Sequence, residues 1–339
     1  MALNLLLLLG GLVLAWLTLR DVFDTVVVPG GSRASLQVTR RVGTVLLALY
    51  KLVRGRKRGI SSTFAPLVLV GSFTIWMGLL ALAFGLIAFA ARTHFSPPLR
   101  DLASAVYQAG SALVTVGLSA NMPQGVGRWI ILAAGFCGLA VMTMAVTYLL
   151  EVQSSITRRD TGIIKLNTSA GDPPSALTLL ERFAAIRNTP EIPEVLKEGR
   201  NWCATVRQSH SAHPSLIYFK STSTGAGWPA ALGAILDLAL IVEHIIDDEQ
   251  LYGPAVLLRE EGARMARDLA SESRLEPVPV ATDEIELQQL VARLQSSGYA
   301  VRSKVDLRTM AKNRADHMSC VNALAQHLGR PTAVLIRQA

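Results

Sequence analysis

The interval 92–128 constrains this chain more than any other stretch. Two long apolar runs bound it, Pro66–Ala91 and Trp129–Leu150. A helix needs roughly 20 apolar residues to cross a bilayer, and both runs meet that length. Between them Asp101–Leu113 has helical periodicity but is too short to cross, with Asp101 placed to cap its start. Ser111–Pro123 follows as SALVTVGLSANMP. The order is therefore a span, a short helix, an extended Thr-Val-Gly segment and a second span. Non-helical backbone at membrane depth persists only where it is buried in protein or lines a water-filled path. The residue types suit such a path. Thr115 offers oxygens, Val116 is β-branched and stiff, and Gly117 admits a backbone conformation that other residues resist. A row of backbone carbonyls can replace the hydration shell of a monovalent cation, and the carbonyl end of the short helix carries partial negative charge toward it.

Composition frames this reading. The chain has 339 residues, 50% of them hydrophobic, with a formal charge of +8. A membrane half joined to a soluble half is the expectation. The charge is uneven: Arg33, Arg40, Arg41, Lys51, Arg54, Arg56, Lys57 and Arg58 fall between the first and second apolar runs with no acid among them. Beside spans, such a run reads as the signal for the cytoplasmic side. It lacks the interleaved aromatics of a nucleic-acid surface, and no nucleic-acid partner is expected. Three cysteines, Cys137, Cys203 and Cys320, without a CxxC pair argue against a disulfide framework or zinc knuckle.

The remaining segments take places around the central interval. Residues 1–29 read as an uncleaved transmembrane helix with its N-terminus outside, because no Lys or Arg precedes the apolar run. Arg20, Asp21 and Asp24 then form an interfacial charge cluster. Residues 30–63 read as a basic amphipathic segment on the inner leaflet, with a cytoplasmic helix packed on protein as the alternative. Gly71, Gly78 and Gly85 recur along the next run as a face for close helix packing. Trp129 suits the outer interface. Gly135 and Gly138 are candidates for a bend or for tight packing on the short helix. Thr143 and Thr147 are candidates to face a water-filled cavity, and Ser119 and Ala120 to lie at the path's exit.

Thr115-Val116-Gly117 resembles the start of the potassium-channel filter signature, Thr-Val-Gly-Tyr-Gly-Asp. Leu118, Ser119 and Ala120 stand where that signature has an aromatic, a second glycine and an acid. Ser111-Ala112 with Thr115–Ser119 also resembles a pore loop of Trk/Ktr-type potassium transporters, which carry one filter glycine and hold four such units in one chain. The layout over 64–160, with Thr147-Tyr148-Leu149-Leu150 closing the last span, resembles the bacterial two-transmembrane ion-channel family. The resemblance implies an all-α membrane protein with a span–pore helix–filter–span module over 64–152, an extra N-terminal helix and a mainly helical cytoplasmic domain. It further implies a homotetramer, with four copies of Thr115, Val116, Gly117 and Leu118 conducting potassium as the permeant ion in an inner membrane. No enzyme activity or organic cofactor is expected. The alternative is a membrane-anchored sensor or scaffold whose pore-like segment does not conduct.

The soluble half is expected as a linker over 153–176, a helical domain over 177–276 and a helical pair over 277–339. Trp228–Glu249 is apolar enough to suggest a span. Asp237, Glu243 and His244 interrupt it, and an extra crossing would strand the tail outside, so it reads as a buried helix. Gly225-Ala226-Gly227 resembles part of a dinucleotide fingerprint but follows a polar Ser/Thr run and precedes Pro229, so no nucleotide-binding domain is expected. Glu243, His244, Asp247 and Asp248 sit at spacings that would suit a divalent metal or, alternatively, a solvated acidic helix end. His210 and His213 near Cys203 form a second such group. No arginine repeat marks a voltage sensor, and the sequence names no gating ligand.

Overall fold

The computed structural model describes residues 1–28, 38, 41–45, 64–221, 225–281 and 283–337. Most of the basic segment expected over 30–63 therefore lies outside the described residues. The chain is mostly helical and divides into two compact units, one reaching Val152 and the other running from Gln153.

Among the described residues, the first unit is built on three long apolar helices and one short one, with a further helical stretch at 41–45. Helix α1 spans Ala2–Val26 and α2 spans Phe64–Ala90. They run antiparallel, since Gly11 lies against Ala83 and Ile87 while Asp21 meets Trp76. A Cβ at Gly11 would come within 2.7 Å of the Ala83 carbonyl oxygen, so glycine is what allows the approach. Asp21 is fully buried. Its Oδ2 accepts from Trp76 Nε1 at 2.9 Å and from the Val38 amide at 3.2 Å. The cluster expected at the interface therefore splits. Arg20 and Asp24 pair along the helix at 3.6 Å, while Asp21 turns inward. A buried carboxylate is tolerated only when donors meet it, and the indole and the amide do so.

The chain leaves α2 through a 3-10 turn, Arg92–His94, into strand β1, Phe95–Ser96. Helix α3, Leu102–Leu113, follows, then strand β2, Met122–Pro123. Helix α4 runs unbroken from Val126 to Ala170. Gly85 of α2 faces α3, where a Cβ would meet Val106 Cα at 2.8 Å. Gly78 has open space around it, so the glycine repeat is a contact face only in part.

The second unit gathers helices around one core. Segment 153–170 of α4 is not a linker. Ile163, Leu166 and Ala170 are buried in the core at helical spacing, and the helix passes through Gly162, where a Cβ would overlap the Trp202 ring, to end at Ala170. Gly171, at φ +82°, and Pro173-Pro174 end the helix. Then come α5, Ala176–Ala185; α6, Ile192–Ala212; α7, Gly227–His244; α8, Glu249–Glu272; α9, Glu284–Ser296; and α10, Leu307–Leu328. Asp248, Asp283 and Asp306 cap the last three through their carboxylates. The core runs from Ile163 to Leu335, so the expected boundary near 277 does not divide it.

Among the described residues, four helices are long and apolar enough to cross a membrane: α1, α2, α4 and α7. Burial separates them. The apolar window of α7 is 89% buried within the protein, against 17%, 39% and 17% for the others. Helix α7 is the central helix of the second unit, where Asp237 receives two bonds from Arg314 at 2.8 and 3.1 Å. Burial works against the Asp237 carboxylate, but Arg314 and His317 outweigh it and hold the pKa below the ordinary value.

Two further buried polar groups lie near the start of this unit. The Arg159 side chain is 1% exposed and is held by Asp160 at 3.0 Å and by the Leu216 and Phe219 carbonyls. His210 donates from Nδ1 to the Val206 carbonyl at 2.9 Å and tilts against Trp228, and among the described residues its Nε2 has no partner. Burial, with Arg159 adding to it, pushes the His210 pKa down to about 3. The unfolded chain takes this proton near the ordinary 6.5. Between these values the unfolded state binds a proton that the folded state refuses. The stability present above pH 6.5 therefore falls as pH drops toward 3. His210→Gln is expected to flatten the acid limb of thermal unfolding, removing a slope of up to about 1.4 kcal/mol per pH unit.

Candidate functional site

The site is a loop that leaves and returns at one edge. Strands β1 and β2 pair antiparallel, Phe95 with Pro123 and Ser96 with Met122. The Gln124 amide donates to the His94 carbonyl at 2.8 Å, and Asn121 Nδ2 to the Pro97 carbonyl at 2.7 Å. This clamp closes both ends of segment 97–121.

Inside the clamp, α3 begins at Asp101, whose carboxylate accepts from the Ser104 amide at 2.7 Å. That amide bond is the leading cause that holds the Asp101 pKa below its ordinary value. Twelve residues give α3 a length of about 18 Å. Past Leu113 the helix ladder ends, but its last carbonyls keep collecting donors. The Thr115 amide bonds the Ala112 carbonyl at 2.9 Å, and the Val116 and Gly117 amides both bond that of Ser111, at 2.9 and 3.1 Å.

The backbone here alternates in hand. Thr115 has φ +61° and Gly117 φ +69°, on either side of Val116. A β-branched residue at positive φ is an outlier, with a cost of about 1 to 3 kcal/mol that the surroundings must offset. Alternation of this kind gathers successive N–H groups on one side, here onto Ser111 and Ala112, and so turns the carbonyls away from them. Among the described residues, the carbonyls of Thr115, Val116, Gly117 and Leu118 accept no hydrogen bond. The side chains are exposed as well: Val116 at 58% and Leu118 at 61%. A Cβ at Gly117 would meet nothing, so its glycine answers to φ and not to crowding.

Ser119 is held where the segment turns back. Its hydroxyl donates to Gln108 Oε1 of α3, and its Oγ accepts the Asn121 amide at 3.0 Å. Ala120 is exposed beside it. Gln108, 5% exposed, was not among the expected site residues. Its signal was a lone amide on the apolar face of a short helix.

Helix α4 backs the loop. A Cβ at Gly138 would overlap the Leu113 carbonyl and lie 2.7 Å from Leu113 Cα. One at Gly135 would sit in ordinary contact with the Ala112 carbonyl at 3.5 Å. The helix runs straight through both glycines without a break. Thr143 and Thr147 are exposed one turn apart, each hydroxyl bonded to the carbonyl four residues back, at 2.9 and 3.0 Å. Leu132, Phe136, Leu139, Val146 and Leu150 extend the same exposed stripe.

The candidate metal groups do not assemble. Among the described residues, no three His, Cys, Asp or Glu side chains come together to hold a metal. Glu243 is taken by Arg259 at 2.6 Å, His244 meets Asn313, and Asp248 caps α8, while Asp247 uses its amide on the Ala300 carbonyl. Cys203 is fully buried, and burial pushes its thiol pKa up. At Gly225-Ala226, both amides are taken by the Asp172 carboxylate, at 2.7 and 3.2 Å. Comparison with protein-family models, curated proteins and solved structures gives no match.

The glycine contacts make opposite predictions for one substitution. Gly78→Ala fills open space in a helix interior and should raise thermal stability in detergent by about 0.5 to 1 kcal/mol. Gly138→Ala must push α4 off Leu113 and should lower it.

Proposed function

We propose that this protein is a homotetrameric channel for monovalent cations that passes potassium. The observation that carries the reading is the row of carbonyls from Thr115 to Leu118, which accept no hydrogen bond among the described residues. The amides of Thr115, Val116 and Gly117 are spent on the end of α3, and all four residues are exposed. In a bilayer an unsatisfied carbonyl costs several kcal/mol. Four such rows around an axis, with a dehydrated cation between them, satisfy the oxygens. Each chain carries one row, so four copies are needed. The exposed Val116 and Leu118 side chains then pack on neighbouring copies, and the Thr143 and Thr147 face of α4 lines the path below.

Orientation follows the basic segment. With residues 30–63 at the cytoplasmic face, the N-terminus and the loop clamp lie outside and the second unit lies in the cytoplasm. That unit serves gating or assembly and is where a gating ligand would act. Ser119 and Ala120 depart from the full potassium signature, so selectivity over sodium is modest.

The test is the bi-ionic potassium/sodium reversal potential of purified protein in liposomes, with Gly117→Asp as control. A potassium-biased current lost in the variant is expected. Equal permeability keeps the channel and removes the selectivity. Absence of current from a tetramer held open by truncation screening favours the non-conducting sensor or scaffold.

A further inference from the structure

The first unit holds a cleft that the pore reading does not use. It lies between α1 and α4, with a volume of about 320 Å³. Trp16, Leu19 and Phe23 line it from one side and Ala140, Val141 and Met144 from the other, with Arg20 at its edge. Apart from Arg20 the lining is apolar. The cleft is open on one side, where Trp16 and Phe23 are half-exposed, so both helices present apolar surface there for an apolar occupant to cover.

Depth and charge identify what fills it. Counting 1.5 Å per residue, Trp16 and Ala140 both lie roughly 21 Å from the start of their helices, and Arg20 and Met144 roughly 27 Å. In a hydrocarbon layer of about 30 Å, the cleft sits in the leaflet toward which both helices run, and Arg20 reaches its head-group border. The guanidinium stacks over the Trp16 ring at 5.4 Å. It shares Nε with Asp24 at 3.6 Å, and among the described residues its other donors meet no acceptor, which suits them to an oxyanion. Asp21 adds no repulsion on this side, since Trp76 and Val38 hold its carboxylate inward. A second copy does not account for the cleft. Its α4 lining lies about a third of a turn from the exposed Leu132–Leu150 stripe that four copies would share.

We infer that the cleft binds one anionic glycerophospholipid of the inner leaflet, with an acyl chain along Leu19 and Val141 and the phosphate on Arg20. The assignment rests on the membrane placement proposed above. Basic side chains at cytoplasmic clefts between spans recognise such head groups. Because Val141 and Met144 belong to the helix that would line the path, occupancy sets how α4 packs against α1.

Native mass spectrometry of the full chain tests this, after exchange through phosphatidylglycerol or phosphatidylcholine nanodiscs and release into detergent. One phosphatidylglycerol retained per chain is expected, with retention at least about tenfold weaker in Arg20→Gln, the loss of one charge-assisted contact. Ala140→Trp, which fills the cleft, should abolish it. Arg20→Gln alters a half-exposed side chain and keeps the test valid should the tryptophan variant misfold. Three results would overturn the inference: no retained lipid, equal retention in wild type and Arg20→Gln, or displacement by inorganic phosphate alone. A Met144→Cys chain that crosslinks to a second copy would assign the cleft to a neighbour and overturn it too. The lipid count does not depend on ion flux. Retained lipid without current rejects the pore alone, and current without retained lipid rejects the lipid site alone.

Discussion

The structure depends on how a non-helical stretch of backbone satisfies its polar groups between apolar helices. Three consecutive amides, from Thr115 to Gly117, fold back onto the carbonyls of Ser111 and Ala112. That capture spends the donors locally and leaves the acceptors as a row. It requires the end of α3 to stay fixed, and the neighbouring elements supply this. Gly138 lets α4 lie directly on Leu113, Gly85 lets α2 lie on Val106, and the two-strand clamp ties the loop's ends together. Each device uses a missing side chain or a backbone pair instead of a charge, as suits an environment where charges are costly.

The second unit follows the opposite economy. Its central helix carries Asp237, and its first helix carries Arg159, both nearly free of solvent. A buried charge is stable only when a partner and hydrogen bonds meet it. Arg314 does so for Asp237 with two bonds, and Asp160 with two carbonyls does so for Arg159. These pairs also explain why α7, apolar by composition, belongs in a packed core. Its acid has a dedicated partner on α10, and its whole surface from Gly227 to Val242 is covered.

Much of this was legible in the residues. The apolar runs and the short helix with its Asp101 cap rest on local chemistry, and local chemistry is what a sequence displays; the Thr-Val-Gly segment, expected to be extended, instead folds its amides back on Ser111 and Ala112 with Thr115 and Gly117 at positive φ. What escaped depended on partners distant in the chain. Gly138 reads equally as a bend or a contact until Leu113 is seen beside it. Asp21 reads as interfacial until Trp76, 55 residues away, turns its indole to it. Gln108 acquires a role only through Ser119. Residues 153–176 suggest a linker through Gly171, Pro173 and Pro174, but Ile163, Leu166 and Ala170 stand before them at helical spacing and carry α4 on to Ala170. The four acidic and histidine side chains at 243–248 shared a spacing but not a direction, since α7 ends at His244.

The central claim is that the Thr115–Leu118 carbonyls surround a cation on a symmetry axis. Anomalous scattering from crystals of the full chain soaked in thallium tests it most directly. The account predicts thallium peaks on a fourfold axis within coordination distance of those oxygens, in four equivalent chains. Thallium absent from the axis, or Gly117 packed inside a single chain away from any axis, would contradict it.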